Sequence, residues 1–235
     1  MNSPEISVEE LIDFGLQPIC SHYLSRPDES CQRFPLALSL DLETGLVFLR
    51  HPFPVASLVP RFDWIRYNEP EAHLDDMVEH IIRQGLLTAD SRIGGISYKD
   101  DSTLERFRKR GFHHTWRPDP AEIGITNPNA NIESLQHHFT PQTAAHIVAQ
   151  HGTLDVLIAR HIVEHAENPA AFLAALKALL KPDGILIIEV PDCARSMERL
   201  DYTMPWEEHT LYFTEATFGN FCRSAGLKPD TLYRH

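Results

Sequence analysis

Two short runs of unbroken apolar residues, LDVLIA at 154–159 and ILIIEV at 185–190, constrain this chain more than any other feature. A strand buried on one face alternates apolar and polar residues. A strand apolar on both faces needs cover on both sides. Between the two runs, Asn168–Leu180 reads as an Ala/Leu-rich helix and Lys181–Gly184 (KPDG) as a turn. Strand, helix, strand of this kind is the unit of a parallel sheet coated by helices, so the chain is predicted to be α/β.

The alternation extends in both directions. Arg92–Ile96 is a short strand, and Ser102–Arg110 a charged helix closed by Gly111. Phe112–Arg117 reads as a second strand and Asn131–Gln136 as a third. Pro141–His151 is a helix ended by Gly152. Thr214 is the expected N-cap of a last helix, Glu215–Ala225, with Gly226 at its end. Ahead of residue 70 proline breaks every helical period, and FPLALSL and GLVFLR have strand-like patterns. The expected organisation is a small β-containing N-terminal module (1–70), a linking helix (71–90) and the α/β domain (91–235).

Composition narrows the function. With 21 Lys and Arg against 33 Asp and Glu, the net charge of −12 repels phosphate backbones and argues against nucleic acid as a partner. No apolar stretch reaches membrane-spanning length, and the acidic start MNSPEISVEELIDF does not read as a signal peptide. Cys20, Cys31, Cys193 and Cys222 form no CxxC pair, so reduced thiols in the cytoplasm and no metal are expected.

In an open parallel sheet, ligands bind outside the carboxyl ends of the strands. That rule gathers loops 96–102, 117–120, 159–166 and 190–209 around one crevice. Gly94 and Gly95 permit close backbone approach there. The absence of GxGxxG argues against a nicotinamide-dependent oxidoreductase. Asp119 in WRPDP, at the end of the second strand, is placed to accept ribose hydroxyls. Arg160 and His161 follow a buried strand into the crevice. His161 and His165 stand four apart with no third metal ligand beside them in sequence. His209, in PWEEHTLYFT, has an ordinary pKa near operating pH and suits a general base, with Glu208 or Glu207 to orient it.

These segments also carry a resemblance. LLKPDGILIIEVPD resembles the LLxPGGxLxxExP segment of class I S-adenosylmethionine-dependent methyltransferases, and HIVEHAENPAAFL resembles their segment after the fourth strand. EEHTLYFTEATFGNFCRSAGL is similar to a segment of the sugar C-methyltransferases, which act on nucleotide-linked deoxysugars. FGLQPICSHYL and FPLALSLDLETGLVFL look like that family's N-terminal stretches. The resemblance implies a Rossmann-like class I methyltransferase sheet with S-adenosylmethionine as cofactor. It implies Gly95, Ser97, Asp100 and Asp101 at the cofactor loop, Asp119 at the ribose, and Arg160 and His161 beside the methionine end. His209 falls on the general base with Glu208 beside it, and Tyr67 near a substrate-facing tyrosine.

The implied acceptor is a small molecule or nucleotide sugar, methylated at carbon. A methyltransferase fold that only binds, without catalysis, is the alternative. Three departures bear on that alternative. Asp41 and Thr44 stand where the family has paired zinc cysteines. Ser102 stands where its cofactor loop ends in glycine. After Gly226 only the first strand of a closing antiparallel hairpin is expected, and none of the family's second α/β domain.

Overall fold

A computed structural model describes residues 7–61, 70–127 and 129–235. Tyr67 lies outside them. The strands are β1 (Val8–Pro18), β2 (Arg33–Asp41), β3 (Val47–Leu49), β4 (Ile93–Gly95), β5 (Thr115–Trp116), β6 (Leu154–Arg160), β7 (Leu180–Glu189) and β8 (Leu211–Tyr212). The helices are α1 (Val55–Leu58), α2 (His73–Arg83), α3 (Asp101–Lys109), α4 (Ile132–Leu135), α5 (Pro141–His151), α6 (Pro169–Leu179), α7 (Ala194–Glu198) and α8 (Glu215–Ser224). Among the described residues no helix is long and apolar enough to cross a membrane.

The central sheet is parallel, in the order β5-β4-β6-β7. The apolar run of β6 explains itself in this setting. Val156 and Ile158 face a core with Val78, Ile93 and Phe107, while Leu157 and Ala159 face a core with Ile147, Phe172 and Leu176. All four of these β6 residues are fully buried, because helices cover both sides. Gly94 gives β4 its close contact with β6: a Cβ there would sit 2.4 Å from Leu154 Cδ1. Leu154 is itself buried, so Gly94→Ala is expected to cost about 1–3 kcal/mol by overpacking, read from denaturant unfolding. A smaller loss than about 0.5 kcal/mol would mean that Leu154 has room to move.

A second, antiparallel sheet runs β1-β2-β3-β8. The strands expected in FPLALSL and GLVFLR are present as β2 and β3. β1 pairs along β2 with two register shifts. β8 comes from the far end of the sequence, pairing Tyr212 with Val47 and Leu211 with Phe48. Tyr212 is fully buried among Leu36, Leu38, Leu49 and Phe53. Its hydroxyl accepts from Trp206 N–H at 3.0 Å and donates to Trp206 O at 2.9 Å, anchoring the chain just ahead of His209.

Three sequence expectations are corrected. Asn131–Gln136 is no strand: it holds α4, followed by a 3-10 turn at Gln136–His138. Ile132 and Leu135, three apart, lie on one helix face turned to the core. Lys181–Gly184 lies inside β7 as an irregular stretch. Leu154 pairs with Leu180 and Val156 already with Ile185, so the extra residues of β7 loop out. Residues 227–235 form no strand. Pro229 has no N–H to give a ladder, and side chains hold the segment instead: Arg234 pairs with Asp192 at 2.8 Å, and the His235 ring stacks on His73 at 3.4 Å.

Candidate active site

At the carboxyl edge of the parallel sheet, the residues predicted for cofactor binding separate into a buried set and an exposed set. Asp100 belongs to the first. It is fully buried, and its Oδ2 accepts from Ile96 N–H and Ser97 N–H at 2.8 Å each. Its Oδ1 accepts from Arg160 N–H at 3.0 Å. One carboxyl thereby staples the loop after β4 to the end of β6. Burial pushes it up to about 7, against the pull of the bonds from Ser97, Ile96 and Arg160. A Cβ on Gly95 would lie 2.6 Å from Asp100 Cβ, so the staple requires glycine there. Ser97, also buried, caps the 3-10 turn Tyr98–Asp100 by accepting from Lys99 N–H.

Arg160 is 1% exposed. Its guanidinium donates to Glu189, to Glu71 at 3.0 Å and to Lys99 O at 2.5 Å. Burial alone would raise the Glu189 carboxyl. The bonds from His161 and Arg160 overcome it and hold the group well below the usual range. His161 adopts φ 50°, the left-handed region that a non-glycine residue seldom takes. Its ring lies 3.5 Å from Glu189 and 3.8 Å from Glu164.

Asp101 and Asp119 are exposed. Asp101 pairs with Arg117 at 2.7 Å. Asp119 Oδ1 accepts from Ala121 N–H at 2.9 Å, capping the 3-10 turn Pro120–Ile123. With Trp116, Arg117 and Pro118 they line an open groove of about 390 Å³ beside β5, within the size range of small-molecule sites.

His209 reaches the same edge of the sheet through its neighbours. Thr210 N–H donates to Glu164 O at 2.8 Å, and the Thr210 hydroxyl to Ala166 O at 2.7 Å. His165 Nδ1 lies 3.0 Å from Glu208 O. The EEHT loop is thus riveted to the segment following β6. The half-buried His209 ring packs edge-on to His165, with centroids 4.7 Å apart, and lies against Trp206 and Tyr212. Burial, and then the charge of His161, lower it to about 4, so the ring is neutral at physiological pH. Glu208 turns the other way, its Oε1 3.9 Å from Cys20 Sγ. Burial and then the charges of Glu133 and Glu207 raise it to about 8.

Sequence reasoning left Glu71, Glu133, Glu164 and Glu189 without roles. Glu189 ends an apolar strand, which was a usable signal. The others are joined to the site only by folding.

A parallel sheet, a strand β4 that ends in Gly94–Gly95, an acid beyond β5 and a histidine loop bonded to the segment after β6 define a class I, Rossmann-like methyltransferase domain. The chain belongs to the family described as methyltransferase domain, whose model matches residues 96–232. S-adenosylmethionine is the methyl donor of this family. The C-methyltransferase NovU of Streptomyces niveus is 25% identical over 228 residues, 93% of this chain and 53% of its own. A ubiquinone biosynthesis O-methyltransferase of Cereibacter sphaeroides is 26% identical over 120 residues, 47% of this chain and 49% of its own. One from a Caulobacter species is 29% identical over 105 residues, 44% and 40% of the two chains. The chain therefore spans about half the length of these curated relatives.

Proposed function

We propose that this protein transfers a methyl group from S-adenosylmethionine to a carbon of a small acceptor, with His209 as general base. The observation that carries the reading is the riveting of the His209 loop onto the segment that follows β6. This supports a neutral imidazole acting near the carboxyl ends of the parallel strands. A neutral ring can take a proton from a carbon next to a carbonyl, and the resulting enolate is the nucleophile. Bound S-adenosylmethionine supplies an electrophilic methyl on a sulfonium. The chain's own work is to align acceptor and donor and to hold the enolate charge. Tyr67 is the proposed donor to the enolate oxygen, on the sequence resemblance alone. A nucleotide-linked sugar as acceptor rests on the same resemblance and on the likeness to a C-methyltransferase over 93% of the chain. The four free thiols fit a reducing, cytoplasmic setting.

The groove beside β5 suits the adenosine end of the donor. The Trp116 ring offers a flat apolar surface and Asp119 an acceptor for ribose hydroxyls. The Asp100 staple leaves its own oxygens on backbone N–H groups, so its part is to shape the loop. Calorimetric titration with S-adenosylmethionine and S-adenosylhomocysteine tests the assignment. Binding of both in the micromolar range is expected. Asp119→Ala is expected to weaken it by about 1–3 kcal/mol, the scale of lost hydrogen bonds to a charged group. An unchanged dissociation constant in that variant would move the ribose elsewhere. No binding at millimolar concentration would overturn the cofactor assignment itself.

A further inference from the structure

On the far side of the His209 loop, Cys20, Glu207 and Glu208 bring a thiol and two carboxylates together. Their donor atoms all lie within 4.8 Å of one another. Both glutamates are 6% exposed. Cys20 is exposed as a residue, so the cluster has a way in from solvent. A second feature comes from a different element. Glu133, on α4, is 5% exposed, and its Oε2 is buried with no hydrogen-bond partner. Its charge reaches both Cys20 and Glu208, so it lies near the same cluster.

Burial and their mutual charges push the Cys20 thiol and the Glu208 carboxyl toward their protonated forms. Among the described residues no Lys, Arg or His forms an ion pair with Glu133, Glu207 or Glu208, and the charge of Lys99 offsets the burial of Glu133 only in part. A bound cation would favour the ionised forms of these groups and offset the cost of burying them. The donor types select the cation. Thiolate with carboxylates suits borderline-soft Zn²⁺ better than Mg²⁺ or Ca²⁺, which take oxygen alone. The spacing agrees: Zn–S of about 2.3 Å and Zn–O of about 2.0 Å at a tetrahedral angle put sulfur and oxygen about 3.5 Å apart. Here Cys20 Sγ and Glu208 Oε1 are 3.9 Å apart. Glu207 Oε1 accepts from Cys20 N–H at 2.5 Å, so one carboxylate already positions the residue that bears the thiol.

We propose that Cys20, Glu207 and Glu208 bind a zinc ion, with the charge of the buried Glu133 carboxyl acting nearby. The ion ties the segment after β1 to the loop that presents His209. It is unlike a paired-cysteine module, which this sequence lacks. It also stands apart from the methyl-transfer reading, since it needs neither the cofactor nor turnover.

The test is titration of the metal-free full chain with Co²⁺, then displacement by Zn²⁺. One equivalent of cobalt is expected to give a thiolate-to-metal charge-transfer band, which zinc abolishes. Cys20→Ser should remove the band, and Cys31→Ser should leave it intact. Glu207→Gln keeps an oxygen for the Cys20 N–H and so preserves the fold. It should weaken zinc by more than the roughly 10–100-fold that loss of an outer-shell partner costs. No band in the wild-type chain, a band that survives Cys20→Ser, or zinc affinity unchanged in Glu207→Gln would each overturn the proposal. Circular dichroism of each metal-free variant separates loss of the site from loss of the fold.

Discussion

Replacing Arg160 with methionine lowers the stability of the domain by about 3–5 kcal/mol, the range for removing one partner of a buried ion pair. The side chain is 1% exposed, and it joins Glu189 on β7, Glu71 ahead of α2 and the carbonyl of Lys99. Methionine matches much of the volume, so the loss is electrostatic rather than a cavity. What remains is a largely buried Glu189 without its arginine. His161 and His73 still face it, at 3.5 and 3.0 Å, and recover part of the loss. Against a typical domain stability of about 5–15 kcal/mol, the variant sits close to unfolding. Denaturant unfolding of Arg160→Met and of the double variant Arg160→Met/Glu189→Gln checks the mechanism. The double variant is expected to be the more stable, because the stranded charge is gone. A single-variant loss below about 1 kcal/mol, the ordinary worth of an exposed pair, would show that the pair is effectively solvated.

The second large effect is on chemistry. His209→Ala is expected to reduce turnover by about 10²–10⁴-fold, the usual contribution of a positioned general base, while leaving the donor's dissociation constant near the wild-type value. The two readouts separate because the His209 loop is held by Thr210 and by the Glu208 carbonyl, neither of which is altered. The expected pH dependence has a definite sign. Burial lowers the ring to about 4, so the free enzyme keeps its base unprotonated through the neutral range. The limb of kcat/KM that reports this group falls as pH drops through about 4, rather than through the ordinary histidine range near 6.5. Turnover unchanged in His209→Ala would remove this residue from the mechanism.

Much of the fold was legible in the sequence because local signals and burial agreed. Pro141–His151 begins at a proline, ends at Gly152 and is α5 residue for residue. Thr214 caps α8 through its side chain, as its position before Glu215 predicts. The apolar run from Leu154 marks a strand covered on both faces. Where local and tertiary demands diverged, the reading failed. Asn131–Gln136 lacks a strong period and became helical because Ile132 and Leu135 found a core. SVEELIDFGLQP gives no strand pattern, and it forms β1 because the edge of β2 was open to pair with it.

The candidate site divides along the same line. Gly95, Asp119, His161 and His209 could be named from motif and position, since each sits at the end of a strand or in a loop after one. Their surroundings could not be named. That Asp100 turns inward to three backbone N–H groups depends on how closely β4 and β6 pack. That Glu208 faces Cys20 rather than His209 depends on β8 pairing with β3, some 160 residues earlier. The sequence by itself determined the α/β class, the strand–helix–strand unit of the parallel sheet and the residue types at the crevice, because hydrophobic period and capping act over a few residues. Only the tertiary structure decided which charges became partners and which were left to face one another, because those pairings link residues that are far apart along the chain and meet only when both sheets have formed.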